Sequence, residues 1–308
     1  MTVRVVFCDP SADAEPWLAG LRAHLPGAQV SLWVDGAAPA DYALTWGPPQ
    51  ALIDQQTRLK ALFNIGAGVD RLLRLKLPAQ LRIVRLEDAG MGVQMAEYVC
   101  HAVSRHFREF AQYEAQASRA AWQPRSARSR SGFAVGILGL GVLGQRVAKA
   151  LRGFEFAVNG WSRSPRPVEG VRGYTGQDQL HDFLAQSQAL VCLLPLTPAT
   201  RNILCRQTLS RLPAGAYLVN VARGEHLVDE DLLALLDSGH LAGATLDVFR
   251  TEPLPGDHAF WRHPKIRVTP HTSAQTPRED SIAQIAGKIL ALERGATVTG
   301  LVDLVRGY

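Results

Sequence analysis

A strand, a glycine-rich turn and a helix within residues 132–151 constrain the fold more than any other stretch. The run GFAVGIL is apolar, GLGVLG places Gly139, Gly141 and Gly144 at the spacing GxGxxG, and QRVAKAL has helical periodicity. In a βαβ unit the first glycine permits the tight turn, the second lets a pyrophosphate approach the backbone, and the third lets the helix pack on the strand. The helix N-terminus then faces the phosphates, so the stretch predicts a dinucleotide-binding turn.

Short apolar runs alternate with amphipathic stretches along the chain, a pattern typical of parallel sheets covered by helices on both faces. Two such series are separated by a long helix predicted from about 93 to 120. We therefore predict an α/β protein with two doubly wound parallel-sheet domains, Rossmann-like or flavodoxin-like, and a cleft between them. The predicted strands are 3–8, 29–33, 42–46, 61–66, 81–86, 133–138, 154–160, 189–196, 216–222, 243–249 and 266–270.

The last helix has both of its ends marked in the sequence. Thr276-Pro277-Arg278-Glu279 combines a capping box with proline at the first helical position. Gly295 stands where a left-handed terminator is expected. Two shorter helices are predicted over 13–24 and 69–75.

The second strand of the dinucleotide unit is followed by Ser162, Arg163 and Ser164, where a carboxylate is expected to bind the adenosine ribose. A carboxylate would repel a 2′-phosphate, whereas a guanidinium pairs with phosphate through two hydrogen bonds. The two serines add small hydroxyl donors without adding bulk. This loop therefore favours NADP(H) over NAD(H).

Composition and charge exclude several other classes of protein. The formal net charge is +5, but the arginines are spread along the chain and the denser stretch 118–130 is broken by serine and proline, so no nucleic-acid partner is expected. No apolar run approaches the ~18 residues that cross a bilayer, and the N-terminal run does not resemble a signal peptide. Cys8, Cys100, Cys192 and Cys205 form no CxxC pair, which favours reduced thiols in a cytoplasmic protein and gives no support for a metal site.

Three later segments place a polar residue at the end of an apolar strand, where parallel sheets bind ligands. They are NVARG (220–224), DVFRTEPLP (247–255) and VTPHTSA (268–274). Taken singly, Arg223, Glu252 and His271 are also compatible with a surface arginine, a solvated acid and a loop histidine. Their succession after a dinucleotide turn makes them candidate catalytic residues.

In this order the motifs resemble the D-isomer-specific 2-hydroxyacid dehydrogenase family, and the resemblance covers nearly the whole chain. It extends to NIGAGVD (64–70), MAEYV (95–99) and LLPLTPAT (193–200). Within the family, the stretch from ARGEHLVDE to LDVF, the EPLP after it and the terminal RGY are most similar to members that reduce glyoxylate to glycolate and hydroxypyruvate to D-glycerate. The resemblance thus implies an NADPH-dependent reductase of small 2-oxo acids.

The resemblance also implies a role for each candidate. Arg223 would hold the carboxylate and the C2 oxygen of the substrate, His271 would donate the proton to that oxygen, and Glu252 would fix the tautomer of His271 and favour its protonated form. The backbone N–H groups of Ala67 and Gly68 would bind the substrate carboxylate. Trp46, at a strand end, either lines the substrate pocket or packs in the core. The residues predicted to contact the cofactor are Gly139, Gly141, Val142, Leu143, Gly144, Ser162, Arg163, Ser164, Leu194, Pro195, Val221, Ala222 and Asp247.

Asp247 is expected to orient the nicotinamide amide or to support Arg223. The resemblance further implies a substrate-binding domain over 1–96 and 280–308, an NADP-binding Rossmann domain over 97–279, and a homodimer built on the cofactor domains. Two departures from the family stand out: the ribose-binding Asp of NAD-preferring members is missing, and Thr272-Ser273-Ala274 follows the catalytic histidine.

Two alternatives remain open at this level. One is another reaction of the same family; formate oxidation is disfavoured because formate dehydrogenases carry Gln in place of Glu252, and phosphoglycerate enzymes usually carry an added regulatory domain. The other is a dinucleotide-sensing binding protein, like the transcriptional corepressors that share this fold.

Overall fold

The computed structural model of the chain describes residues 3–10 and 13–308. Residues 1, 2, 11 and 12 of the predicted domain 1–96 lie outside the described residues. The chain divides into two compact units, which we name the terminal unit (Met1–Met91 with Thr276–Tyr308) and the central unit (Gly92–Gln275). The predicted domain boundaries, after residues 96 and 279, lie a few residues further along the chain than the boundaries of the two units, after residues 91 and 275.

Each unit contains one parallel sheet flanked by helices. The strands are β1 Arg4–Cys8, β2 Gln29–Leu32, β3 Tyr42–Thr45, β4 Ala61–Asn64, β5 Ile83–Arg85, β6 Ala134–Leu138, β7 Ala157–Ser162, β8 Arg172–Thr175, β9 Ala189–Cys192, β10 Ala216–Asn220, β11 Leu241–Leu246 and β12 Ile266–Val268. The α-helices are α1 Ala14–His24, α2 Gln50–Gln55, α3 Met91–Phe107, α4 Phe110–Ala117, α5 Val142–Gly153, α6 Leu180–Ala185, α7 Arg206–Leu209, α8 Asp229–Asp237 and α9 Arg278–Glu293. The predicted α/β class with two parallel sheets is confirmed.

Strand order explains where ligands are expected. The terminal sheet has the order β2-β1-β3-β4-β5, and the central sheet has the order β12-β11-β10-β9-β6-β7-β8. In the central sheet the chain leaves β6 toward β7 and β8 and then returns to β9 on the other side of β6. The switch point of this sheet therefore lies at the carboxyl end of β6, where doubly wound proteins bind nucleotides.

The central sheet is buried on both faces, which explains why its strands read as continuous apolar runs. Alternate residues of β6, β9 and β10 enter two separate cores: Leu138, Leu190 and Leu218 pack on one face. Ile137, Val191 and Val219 pack on the other, against helices that include α3 and α5. In the terminal unit, Val6, Ala43 and Leu62 belong to one such core.

The predicted long helix 93–120 is wrong, because the chain breaks between α3 and α4. Glu109 takes a left-handed conformation there, with φ 54°. Its carboxylate pairs with Arg125 at 2.9 Å and with Arg128 at 3.2 Å. The basic stretch 118–130 is thus tied back to the helix break through these ion pairs.

Two further differences concern short elements. The predicted helix 69–75 is only a 3₁₀ turn, Leu72–Arg74. Strand β8 was not predicted, since RGYT contains one apolar side chain and lies at the edge of its sheet. Within the described ranges, no helix has both the length and the apolar character needed to cross a membrane.

The start of α9 also differs from the prediction. Pro277 is the N-cap rather than the first helical residue, and the Thr276 hydroxyl donates to the carbonyl of Ile65 at 3.1 Å. The capping box is therefore wrong, because a contact with a segment far away in sequence takes the hydroxyl. The left-handed conformation predicted for Gly295 is confirmed, with φ 74°.

Candidate active site

The glycine turn after β6 is fixed by close backbone contact. Gly139 has φ 103°, and its N–H donates to the carbonyl of Trp161 on β7 at 2.9 Å. A Cβ on Gly144 would lie 2.0 Å from the carbonyl oxygen of Gly139, so no side chain fits at the start of α5. Beside Gly141, in contrast, no described atom outside residues 140–142 lies within 4 Å of the position that a Cβ would take. This open space at the N-terminus of α5 fits a pyrophosphate group.

Val142 and Leu143 form the first turn of that helix, Val142 exposed and Leu143 half-buried. No described side chain caps α5 at Gly141, so its first N–H groups remain for a ligand or for water. This part of the predicted cofactor site is made of backbone donors rather than of charged side chains.

The loop after β7 holds the predicted ribose-binding residues. Strand β7 continues to Ser162 instead of ending at residue 160 as predicted, and Ser162 is buried. The Ser162 hydroxyl donates to the carbonyl of Ser164 at 2.7 Å, which closes a tight turn around Arg163. Arg163 and Ser164 are exposed. Ser162 thus shapes the loop that presents Arg163, whereas the sequence suggested a donor to the ligand.

His271 and Glu252 are hydrogen-bonded in the central unit. His271 Nδ1 lies 2.9 Å from Glu252 Oε2, and the His271 side chain is 39% exposed. The other carboxylate oxygen of Glu252 accepts the N–H of Phe249 at 3.0 Å, which fixes its orientation. Because Nδ1 is committed to the carboxylate, Nε2 is the ring nitrogen that can exchange a proton with a ligand.

The pKa of Glu252 is lowered from its ordinary value. Burial alone would raise this pKa, but hydrogen bonds from His271 and from the Phe249 N–H, with the charges of His271 and Arg223, outweigh the burial. Glu252 therefore stays ionised in mildly acidic solution. The charge of Arg223 contributes to this lowering, and all three candidate catalytic residues, which are far apart in sequence, belong to the central unit.

Gly224 explains how Arg223 comes close to Glu252. A Cβ on Gly224 would lie 1.8 Å from the carbonyl carbon of Phe249, so the backbone at 224 packs directly on the loop that carries Glu252. The Arg223 guanidinium donates to the carbonyl of Ala222 at 2.6 Å. The sequence motif NVARG contained this glycine, but nothing in the sequence indicated which segment it contacts.

Asn220 and His226 support the Arg223 loop and were not singled out from the sequence. Both are fully buried. The Asn220 amide donates to the carbonyl of Arg223 at 3.1 Å and its oxygen accepts the Ala222 N–H at 3.2 Å. His226 places Nδ1 3.1 Å from the Arg223 carbonyl and Nε2 3.3 Å from the Pro195 carbonyl, and burial lowers the pKa of His226.

His226 also connects two groups of predicted cofactor residues. Leu194 and Pro195 follow β9, while Val221 and Ala222 follow the neighbouring β10. Leu194, Val221 and Ala222 are buried and Pro195 is half-buried. The structure places these segments at adjacent strand ends, on the same edge of the sheet as the glycine turn.

Asp247 is fully buried, and its carboxylate binds the loop that carries His271. Oδ1 accepts the Thr272 N–H at 2.9 Å and the Thr269 hydroxyl at 2.5 Å, and Oδ2 accepts the Ser273 N–H at 2.8 Å. The predicted contact of Asp247 with nicotinamide stays a prediction. The structure shows that Asp247 supports the His271 loop, and its predicted support of Arg223 likewise stays a prediction.

The terminal unit holds the predicted substrate-binding turn. The Asn64 amide donates to the carbonyls of Gly66 and Gly68, at 2.8 and 3.0 Å, and so braces the turn that contains Ala67. Ala67 and Gly68 are half-buried.

Trp46 directly follows β3 and lies beside this turn. A Cβ on Gly66 would lie 2.5 Å from the Trp46 ring, so the indole fills the space next to the glycine. The Arg71 guanidinium lies 5.6 Å from the centre of the Trp46 ring. Trp46 is half-buried, which leaves part of its ring accessible beside the turn.

The remaining sequence-level candidates concern metals and thiols. Cys8, Cys100 and Cys192 are buried, Cys205 is half-buried, and none of the four forms a disulfide. Among the described residues, no group of three His, Cys, Asp or Glu side chains is arranged to hold a metal ion.

Residues 100–273 match the protein family described as "D-isomer specific 2-hydroxyacid dehydrogenase, NAD binding domain". The chain is 48% identical to glyoxylate/hydroxypyruvate reductase A of Serratia proteamaculans (strain 568), over 99% of this chain and 100% of that protein.

Solved structures give the same result. The chain matches a D-isomer specific 2-hydroxyacid dehydrogenase from Xanthobacter autotrophicus Py2 in complex with NADPH and MES, with a TM-score of 0.95, 37% identity and full coverage of both chains. It also matches an NADPH-dependent glyoxylate/hydroxypyruvate reductase from Sinorhizobium meliloti in complex with NADP and sulfate, with a TM-score of 0.93, 35% identity and full coverage of both chains.

Proposed function

Because the chain belongs to the D-isomer specific 2-hydroxyacid dehydrogenase family, we propose that it reduces glyoxylate and hydroxypyruvate with NADPH. The observation that carries the proposal is the hydrogen bond between His271 and Glu252, together with the packing of Gly224, next to Arg223, on the loop that carries Glu252. An imidazole held by a carboxylate beside a guanidinium can bind a 2-oxo acid and protonate its carbonyl oxygen.

NADP(H) is the cofactor that fits the central unit. The glycine turn leaves room for a pyrophosphate at the N-terminus of α5, and the exposed Arg163 offers a guanidinium where a 2′-phosphate would lie. Relatives of similar sequence and fold were solved with NADPH or NADP bound. When bound, the reduced cofactor supplies the hydride for the substrate.

The side chains of this protein then supply binding and the proton. Arg223 would bind the carboxylate and the C2 oxygen, since a planar guanidinium donates to two oxygens at once. His271 would hold a proton on Nε2 and transfer it to the C2 oxygen. Glu252, by accepting from Nδ1, keeps the ring in one orientation and offsets the charge of the protonated imidazole.

In the terminal unit, we propose that the N–H groups of Ala67 and Gly68 bind the substrate carboxylate and that Trp46 lines the pocket. These roles are supported by the brace from Asn64 and by the part of the indole left accessible beside the turn. The terminal unit would accordingly be the substrate-binding domain and the central unit the NADP-binding domain. A homodimer and a cytoplasmic location belong to the same proposal; light scattering and cell fractionation would test them.

Steady-state kinetics of the purified full-length protein test the proposed function. NADPH oxidation should be seen with glyoxylate and with hydroxypyruvate, and a series of bulkier 2-oxo acids would measure the size of the pocket. Binding of NADPH without turnover of any 2-oxo acid would overturn the proposal and favour a dinucleotide-sensing protein.

The cofactor assignment has a separate test in Arg163→Asp. Loss of one charged phosphate contact should cost about 1.5–3 kcal/mol, which lowers kcat/KM for NADPH by roughly 10- to 150-fold relative to NADH. Arg211→Asp, at another exposed arginine of the same unit, is the control for the change in net charge. An unchanged NADPH/NADH ratio in Arg163→Asp would remove Arg163 from the cofactor site.

A further inference from the structure

A chain of hydrogen bonds runs from α3 to the loop that carries His271. The Tyr98 hydroxyl lies 2.5 Å from Thr269 Oγ1, and Thr269 Oγ1 lies 2.5 Å from Asp247 Oδ1. Asp247 in turn accepts the N–H groups of Thr272 and Ser273 through its carboxylate. These hydrogen bonds connect three elements of the central unit next to His271: the helix α3 and the ends of β11 and β12.

The direction of the hydrogen bonds follows from the chemistry of the groups. A carboxylate only accepts, so Thr269 donates its single hydroxyl proton to Asp247. Thr269 Oγ1 can then only accept from Tyr98, which must be the donor. Burial, with the nearby charge of Asp247, raises the pKa of Tyr98 to about 12 despite the hydrogen bond to Thr269, so the phenol keeps its proton at working pH.

The loop needs such support because His271 has an unfavourable backbone conformation. Its φ is 55°, in the left-handed region that a residue with a side chain adopts only at a cost in free energy. The His271 N–H is held by the carbonyls of Asp247 at 2.8 Å and of Thr269 at 3.1 Å. The same two residues thus bind the histidine through their main chains and each other through their side chains.

We propose that Tyr98 and Thr269 are positioning residues that hold His271 in register with Glu252, acting through the buried carboxylate of Asp247. The inference rests on the proposed function only for its catalytic consequence. If the hydroxyl of Thr269 is removed, Asp247 loses one of the three donors to its carboxylate, and the loop 269–273 is released from α3. A shift of the imidazole by a fraction of an ångström is enough to slow proton transfer.

A second tyrosine–threonine pair provides a matched control. The Tyr217 hydroxyl lies 2.8 Å from Thr245 Oγ1, with both residues buried on β10 and β11 of the same sheet. The hydrogen bonds described for Asp247 do not include this pair. Loss of the Thr245 hydroxyl therefore removes a comparable buried hydrogen bond without loosening the His271 loop.

The experiment compares Tyr98→Phe, Thr269→Val, Thr269→Ser and Thr245→Val in the full-length protein. Tyr98→Phe and Thr269→Val should lower kcat by about tenfold with KM for NADPH changed less than about twofold. Thr269→Ser, which keeps the hydroxyl, should restore most of the kcat. Thr245→Val should keep the wild-type kcat even if its melting temperature falls.

Hydrogen–deuterium exchange of the ligand-free protein gives a readout that does not depend on activity. The N–H groups of Thr272 and Ser273 should exchange faster in Tyr98→Phe and Thr269→Val than in wild type or Thr245→Val. Faster exchange in a protein that turns over no 2-oxo acid would refute the proposed function and leave the positioning network standing. Unchanged exchange, or an equal loss of kcat in Thr245→Val, would overturn the network itself.

Discussion

The glycine turn after β6 and the His271 loop after β12 both end a parallel strand of the central sheet, yet different forces hold them. The turn is set by backbone contact, with Gly144 against the carbonyl of Gly139 and the Gly139 N–H on the neighbouring strand β7. The loop is set by side chains, through the buried Asp247 and its partners Thr269 and Tyr98. The glycine turn thus depends on the absence of side chains, whereas the loop for which we propose proton transfer depends on a network of polar side chains.

The largest expected effect comes from removing the side chain that the loop presents. His271→Ala should lower kcat by about 10³-fold, because the proposed proton donor is lost, while NADPH still binds the intact glycine turn. The melting temperature should hardly change, since the His271 side chain is 39% exposed. Stopped-flow or steady-state kinetics would measure kcat, and NADPH fluorescence would measure cofactor binding.

His181→Ala, at an exposed histidine of α6, is the control and should behave as wild type. A kcat of His271→Ala close to that of wild type would exclude this residue as the proton donor.

Adding a side chain to the glycine turn should instead lower the stability of the protein and its binding of NADPH. In Gly144→Ala the new Cβ would meet the Gly139 carbonyl oxygen at 2.0 Å, so the turn must move. We expect a loss of about 3 kcal/mol in the free energy of unfolding together with weaker NADPH binding. Urea denaturation and cofactor titration would measure both changes.

Gly153→Ala, at the other end of α5, is the matched control because, apart from its chain neighbours and the backbone of its own helix, no described atom lies within 4 Å of its Cβ position. It should change the free energy of unfolding by no more than about 1 kcal/mol. If Gly144→Ala were as stable as Gly153→Ala and bound NADPH equally well, the steric account of the turn would be wrong.

The smallest effect is expected from Glu252→Gln, as a shift in the pH dependence of kcat/KM. The lowered pKa of Glu252 means that its charge stabilises the native pair above the ordinary carboxyl value of 4.5, and that this contribution disappears as the pH falls through the lowered pKa. Glutamine keeps the acceptor oxygen but not the charge, so protonated His271 loses its ionised partner. The pH above which reduction fails should therefore fall by about one unit.

Measurement of kcat/KM between acidic and alkaline pH would test this, with Glu230→Gln in the first turn of α8 as the control. A profile of Glu252→Gln that superimposes on that of wild type would remove Glu252 from the mechanism.

Most of the fold could be predicted because its signals are local. Eleven of the strands coincide with apolar runs in the sequence, and the spacing of Gly139, Gly141 and Gly144 predicts the glycine turn. The failures occurred where a long-range contact replaced the local preference. Thr276 binds Ile65 instead of capping α9, and Glu109, with its ion pairs to 125 and 128, breaks the long helix.

The candidate site divides in the same way. The sequence by itself determined that Arg223, Glu252 and His271 each follow an apolar strand. Because parallel strands end at one edge of a sheet, it also indicated that these three side chains lie at the same edge. It could not reveal His226 or Gly224, because their partners Pro195 and Phe249 lie on segments that only the folded chain brings together.

Tertiary structure alone decided the role of Asp247 and the orientation of His271. Ordering a loop costs conformational entropy, and only buried, mutually satisfied hydrogen bonds offset that cost for a backbone as unfavourable as that of His271. Those bonds join α3 to the residues that directly follow β11 and β12, whose proximity is a property of the packed sheet and not of any stretch of sequence.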